Sequence, residues 1–394
     1  MKNREIFIVS AVRTPIGSLG GSLSKVRSTN LGALVIKNAI KRAGITNNLI
    51  DEVFMGNVLS ANLGQAPARQ AALFAGLPDT IPCTTINKVC ASGMKSIIIG
   101  AQTILAGHNQ VIVAGGMESM SNAPHYIAGM RTGLKLGHGQ LTDGMIKDGL
   151  WDVYNDYHMG NAAELCAKAY NLSREEQDDY AIESYKRSAN ATEKGLFKAE
   201  IIPVEIPQRK GDTVVVDQDE EFLNVNFEKI PSLRPVFQKD GTVTAANSST
   251  INDSAAAVVV MNGEKARELG IKPLVKILSH ADTARAPEWF TIAPVKAIPL
   301  AIKRAGLKPG NIDYYEINEA FAAVSLAVLR ELKLDQAKVN VNGGAISLGH
   351  PIGASGARIV VTLIHVLKQN NARYGVASLC NGGGGASALV IESI

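Results

Sequence analysis

The sequence predicts an α/β protein built from two related halves, and three observations carry that prediction. First, Ala39-Ile40-Lys41-Arg42-Ala43-Gly44 recurs letter for letter as Ala301-Ile302-Lys303-Arg304-Ala305-Gly306, position 301 against position 39, an offset of 262. Second, an ordered series continues at nearly the same spacing. Ile50-Asp51 returns as Ile312-Asp313, and Ala91-Ser92-Gly93 returns as Ala354-Ser355-Gly356, 354 against 91, an offset of 263. A colinear series marks a duplication, and its period is far too long for a solenoid. Third, each copy alternates short apolar runs with helix-like segments and places Gly or Asn at the turns. That alternation predicts layered helices and strands, with the strands mainly parallel.

In chain order, Ile6 to Val12 reads as a first buried strand, closed by Arg13-Thr14-Pro15. Ser96 to Leu105 reads as an apolar helix, Gly107-His108-Asn109-Gln110 as a turn, and Val113-Ala114 as a strand that falls on Val376-Ala377 in the second copy. The turn breaks the uncharged stretch from Ser96 to Met117, which therefore is not a membrane span. Residues 121–251 have no counterpart in the second half. They are rich in Gly, His, Tyr and charge, include a helical stretch from Arg174 to Lys194, and are expected to supply a lid or ligand wall. Asn252 to Val260 then resumes the first half, with a small-residue helix start and a buried strand. The expected division is 1–120 plus 252–272, an insertion over 121–251, and 273–394.

Composition narrows the function. Of 394 residues, 46% are hydrophobic and 19% charged, enough to bury a large core. Lys and Arg number 40 against 36 Asp and Glu, a net charge of +4 with no basic block, which argues against nucleic acid. Four cysteines without a CxxC pair support neither a disulfide scaffold nor a zinc site, and fit a reducing compartment. No targeting segment is evident, so a soluble cytoplasmic protein is expected, although a processed organellar protein would read the same way.

Four segments could carry chemistry. In Val89-Cys90-Ala91-Ser92-Gly93-Met94, Cys90 precedes a helix whose N-terminal dipole is expected to lower the thiol pKa. His350, between Gly349 and Pro351, precedes the matching second-half helix, so the two helix starts should face each other. Cys380-Asn381 runs into Gly382-Gly383-Gly384-Gly385, where bare N–H groups suit an oxyanion hole. The chain contains neither GxGxxG nor GxxxxGK[ST], which weakens a nucleotide-loop alternative. Asn318, in Asn318-Glu319-Ala320-Phe321, sits at a strand-to-helix junction, where an Asn is more often a helix cap than a catalytic residue. Cys83 and Cys166 lack such surroundings and read as structural. The residues themselves point to a cysteine-dependent acyl transferase or hydrolase with a second cysteine nearby.

These four segments, in order along the whole chain, resemble the signature of the thiolase family. The resemblance implies two βαβαβαββ halves with a loop domain inserted into the first. It implies that Cys90 takes an acetyl group as a thioester, His350 accepts the Cys90 proton, and Cys380 exchanges the α-proton of a second acetyl-CoA. Asn318 would hold a water that, with His350, donates to the thioester oxygen. The N–H groups of Cys90 and Gly382 would form the other oxyanion hole. The implied reaction is a reversible Claisen condensation of two acetyl-CoA to acetoacetyl-CoA and CoA. No cofactor is implied beyond these CoA thioesters.

Tyr157-His158-Met159-Gly160 is similar to the short-chain members, with His158 and Met159 lining the acyl-CoA pocket together with Phe237, Ala245, Ser249 and Phe321. Where bacterial biosynthetic members often carry an adenine-facing Arg, Glu220-Glu221-Phe222-Leu223 has none. That stretch and Gly241 to Ser249 resemble the potassium-activated mitochondrial type, which implies an ion held by Tyr185, Ala245, Ala246, Ser248 and Ile346. A homotetramer of tight dimers is also implied, with the first-half sheet at the dimer edge. The alternatives are a degradative 3-ketoacyl-CoA thiolase of broader chain length, a cysteine-dependent thioester hydrolase, and a non-catalytic CoA-binding scaffold.

Overall fold

The computed structural model describes residues 5–208 and 211–394. The long strands of its main sheet are β1 (Ile6–Arg13), β2 (Glu52–Gly56), β3 (Cys83–Ile86), β4 (Val111–Ser119), β5 (Asn252–Asn262), β6 (Val275–Ala284), β7 (Tyr314–Ile317), β8 (Tyr374–Asn381) and β9 (Gly385–Ser393). They form one sheet in the order β7-β8-β9-β6-β1-β5-β4-β2-β3, with Gly17–Ser18 pairing β5 as a short extra strand. The halves meet where Phe7 and Ile8 of β1 pair with Lys276 and Val275 of β6. Outward from that seam each half repeats one order, β1-β5-β4-β2 on one side and β6-β9-β8-β7 on the other.

Only β2–β3, β2–β4 and β7–β8 are parallel, whereas β1–β5, β4–β5, β1–β6, β6–β9 and β8–β9 are antiparallel. The expectation of mainly parallel strands is therefore corrected to a mixed sheet. The reason is local in the second half: Gly382 to Gly384 turn β8 directly into β9, and a turn that short can only join antiparallel neighbours. A second correction concerns Asn252 to Val260. It starts no helix; β5 is strand throughout, paired along its length with β1 and β4.

Helices cover both faces. α1 (Ser28–Ala43) and α2 (Pro67–Phe74) lie on the outer face of the first half, and α3 (Ser92–Ala106) on its inner face. The segment 121–251 contributes α4 (Met159–Ala169) and α5 (Arg174–Glu193), the latter opened by a capping box between Ser173 and Glu176. The second half adds α6 (Pro294–Arg304), α7 (Ala322–Leu332) and α8 (Ile352–Gln369). Strand β5 shows why no polar face is needed: Ala255, Ala257, Val259 and Met261 pack outward with α1, while Ala256, Val258 and Val260 pack inward with α3 and α8. Both faces are dry, so the strand reads as an unbroken apolar run. The 18-residue window Val89–Ala106, apolar enough to cross a membrane, is built mostly from α3 in this inner layer.

The insertion is fastened by charge. Arg13, fully buried at the end of β1, donates to Glu200 (2.6 Å) and with both terminal nitrogens to Asp219 (2.7 and 2.9 Å), both carboxylates coming from the insertion. Removing Arg13 would leave two buried carboxylates without their shared cation.

Helices α3 and α8 meet at their first turns through glycine. A Cβ on Gly93 would lie 2.7 Å from the Ala357 nitrogen, and one on Gly356 would lie 2.4 Å from that of Met94. These are backbone atoms that cannot move aside cheaply. Gly356→Ala is expected to cost about 1–3 kcal/mol or more by overpacking, read as a lower urea midpoint. Gly310→Ala, where nothing lies within 4 Å, should shift the midpoint far less.

Candidate active site

Cys90 sits two residues before α3 in a turn that the chain forces into an unusual shape. Val89 has φ +48°, a left-handed conformation that β-branched residues avoid and that costs of order 1–3 kcal/mol. Its N–H donates to Asn87 Oδ1 (2.9 Å), and the Ser92 hydroxyl donates to its carbonyl (2.6 Å) while accepting from Lys88 N (2.8 Å). Lys88 reaches across to Asp282 and Ser387 of the second half, and Lys95 pairs with the same Asp282. Held in this way, the Cys90 sulfur lies near the backbone N–H groups of Gly382 and of Cys90 itself, which favour its thiolate.

The dipole expectation for Cys90 is corrected. Burial pushes its thiol up to about 11; the two N–H groups oppose this without offsetting it, and the Glu118 carboxylate raises it further. Cys380, at the end of β8, is buried among Met159, Phe290 and Phe321. Burial raises its thiol well above the usual range, with the charge of a Cys90 thiolate adding to the effect. Both cysteines rest as thiols.

His350 follows Gly349 at φ +113° and is anchored by its own N–H to Asn252 Oδ1 (2.9 Å). Its Nδ1 lies 2.6 Å from Ser355 Oγ, and that hydroxyl donates to Pro351 O (2.9 Å). With the serine proton so engaged, Nδ1–H is the donor, and Nε2 carries the free lone pair. Asn318 Nδ2, 3.4 Å from Nε2, matches that tautomer. Burial, reinforced by Arg358, lowers His350 to about 3, so a neutral imidazole with an open acceptor faces the cavity. Asn318 does not cap α7, whose N-cap is Phe321. Its N–H instead donates to Ser378 O (3.0 Å), and its Oδ1 is buried without a hydrogen-bond partner among the described residues.

Cys90, His350 and Gly382 line a cavity of about 560 Å³, as do His158, Met159, Phe237, Ala245, Ser249 and Phe321. Phe237 stacks on His158 at 4.8 Å and meets Phe321 edge-on at 6.2 Å. The wall 244–249 is pinned to the segment after Asn318 by Ser249 N to Ala320 O (3.0 Å) and Ala322 N to Asn247 O (2.8 Å). The structure thus brings together residues more than 200 positions apart, with Cys380 and Asn318 behind the lining. A thiol near backbone N–H donors, a neutral imidazole and a second thiol around one cavity have the chemistry to transfer an acyl group.

Residues 6–264 match the thiolase N-terminal domain, and 271–393 match the thiolase C-terminal domain. The chain belongs to the thiolase family. It is 55% identical to a cytosolic acetyl-CoA acetyltransferase from Gibberella zeae, over 99% of this chain and 98% of that protein. It is equally identical to the mitochondrial acetyl-CoA acetyltransferase of Bos taurus, over 99% and 92%. A solved structure of Acat5 thiolase from Ascaris suum in complex with coenzyme A matches with TM-score 0.95 and 47% identity, covering 99% of this chain and 100% of that one.

Within this thiolase, the five residues expected around an ion divide. Ala245 and Ser248 line the cavity; Tyr185, Ala246 and Ile346 lie behind it, buried. Cys83 is a half-buried strand residue that donates to Ile81 O, and Cys166 is buried on α4. Motif reading missed Ser355, Asn252, Ile352, Met120 and Glu118. Glu118 did leave a signal, as a lone acid ending an apolar strand run. Ser355 left one too, as the counterpart of Ser92 in the duplicated Ala-Ser-Gly, whereas Asn252, Ile352 and Met120 show no such pattern, because their role is contact across the fold.

The raised Cys90 pKa has a direct consequence. Alkylation needs the thiolate, so the iodoacetamide rate at Cys90 should climb steadily with pH through 9 and 10. A plateau near neutral pH would show that the helix dipole prevails after all.

Proposed function

We infer that this chain is an acetyl-CoA C-acetyltransferase, an acyltransferase that reversibly condenses two acetyl-CoA to acetoacetyl-CoA and CoA. One observation carries the reading most directly: the Cys90 sulfur and a neutral His350 share one cavity floor with the Gly382 N–H. The Cys90 proton passes to His350 Nε2 as sulfur attacks the thioester carbon, and the carbon–sulfur bond to CoA breaks. The developing oxyanion lies against the Cys90 and Gly382 N–H groups. The leaving CoA thiolate takes the Cys380 proton. Cys380, now a thiolate whose burial makes it strongly basic, removes the α-proton of the second acetyl-CoA. Protonated His350 then faces the oxygen of that carbanion, with Asn318 Oδ1 as the anchor for a bridging water. Attack on the acetyl-Cys90 carbon expels sulfur, which recovers its proton from His350, so the cycle closes.

The cavity supports a short acyl chain, since Met159, Phe290 and Phe321 close the space beside Cys380. The residues behind this wall support a potassium ion there. Around buried Tyr185, burial and then the Glu221 and Glu319 carboxylates raise the phenol, which marks a negative environment. The Tyr185 hydroxyl and the backbone at Ala245, Ala246, Ser248 and Ile346 would hold it, and its charge would brace the wall. A homotetramer is supported by an arm over 125–143 that exposes Met130, Leu134, Leu136 and Leu141, and by the unpaired outer edge of β3. The division at 120, 251 and 272 belongs to the same reading, as does a cytoplasmic location; relatives of equal identity carry both cytosolic and mitochondrial names.

Cys90→Ala should form no acetyl-enzyme by mass spectrometry. Cys380→Ala should acetylate yet fail to condense, and normal condensation by that variant would refute the role given to Cys380. Thiolysis of acetoacetyl-CoA should be far faster than that of a long-chain 3-ketoacyl-CoA and faster in potassium than in sodium buffer. Equal rates in the two salts would remove the ion, and release of free acid without CoA would indicate a hydrolase.

A further inference from the structure

Glu118, next to last in β4, carries a fully buried carboxylate that the reaction above does not use. Four N–H groups converge on it. Asn57 Nδ2 (2.8 Å) and Leu59 N (3.3 Å) donate to Oε1; Val58 N (3.0 Å) and Gly353 N (2.9 Å) donate to Oε2. Three donors belong to the segment that leaves β2 in the first half. The fourth is the second residue of α8, in the second half.

Those same segments form the back of the reacting pair. Val58 and Leu59 cluster with Met120 and Ile352, and Cys90 packs against that cluster. Ile352 and Met120 line the cavity beside Cys90 and His350. The contact is close as well as polar, for a Cβ on Gly353 would lie 2.5 Å from Glu118 Oε2 and 3.0 Å from Asn57 Cα. A carboxylate is suited to this place, since it accepts four donors and offers none, and it meets the N-terminus of α8 where the helix dipole favours negative charge.

We propose that Glu118 is a positioning residue, whose carboxylate clamps the first turn of α8 to the segment after β2 and so sets His350 against Cys90. It touches neither substrate nor the reacting atoms. The proposal rests on Cys90 and His350 being the reacting pair. Charged or titratable neighbours are Asp253, a like charge toward Glu118, and Cys90, whose thiolate Glu118 opposes. Burial first, with Asp253 added, raises Glu118 to about 7 against the pull of its backbone donors.

Glu118→Gln tests this, because it keeps the volume but turns an NH2 toward two N–H donors. In full-length enzyme with a cooperative melt, kcat for thiolysis of acetoacetyl-CoA should fall about 10- to 100-fold, the scale of a small misplacement, with KM within about twofold. Cys90 should meanwhile alkylate faster at a given pH, because the opposing charge is gone. A purely structural role would move KM and melting together with kcat, whereas faster alkylation follows from loss of the charge in either case. Asn57→Ser, which removes one donor, should lower kcat in the same direction by less, and it carries the test if the Gln variant does not fold. Wild-type kcat in either folded variant overturns the proposal. Turnover by Cys90→Ala would instead overturn the reading of the pair itself.

Discussion

The contact on which the rest of this molecule depends is the meeting of two helix starts in the inner helix layer, on one face of the sheet. Gly93 of α3 and Gly356 of α8 let the two backbones approach until the next atoms are main-chain nitrogens. No side chain could occupy that contact, so the duplication places equivalent helices at van der Waals distance, pointing their N-termini at one spot. Cys90 stands two residues before one helix and His350 two residues before the other. Their pairing follows from helix packing, and the strained Val89 turn and the glycine run after Cys380 bring further groups to the same point.

Burial, more than any dipole, sets the chemistry there. A helix N-terminus contributes up to about 2 kcal/mol in a favourable, partly buried case, roughly 1.5 units at 1.36 kcal/mol per pKa unit. Desolvation of a buried group can reach about 3–5 units. The larger effect prevails at both cysteines, which rest as thiols, and at His350, which rests neutral. The resting site therefore carries no charge on its reacting groups. Charge appears as protons move, close to N–H donors already in place, and this lowers the cost of reorganisation.

Electrostatic fastening complements this apolar layer. Arg13 ties the insertion to β1 through Glu200 and Asp219, and Asp282 ties the Cys90 turn to the second half through Lys88 and Lys95. Each links elements far apart in the chain, and the fully buried triad tolerates loss of its single cation, Arg13, least.

Much of this was legible in the residues. The offset of 262 to 263 located two copies, and glycines beside Cys90, His350 and Cys380 marked strand and helix ends, because those positions need backbone that side chains would block. Strand direction was not legible, since a run such as Asn252 to Val260 looks the same whether its neighbours run parallel or antiparallel. Nor was the Cys90 pKa, because local sequence shows the helix but not the walls that exclude water. By itself the sequence determined the duplication, the family and the identity of the polar groups, all of which are properties of local order. Only the tertiary structure decided which of those groups meet, which tautomer His350 adopts and which carboxylate holds α8. Distance and desolvation arise between segments, and Glu118 gains its four donors only when β4, the segment after β2, and α8 converge.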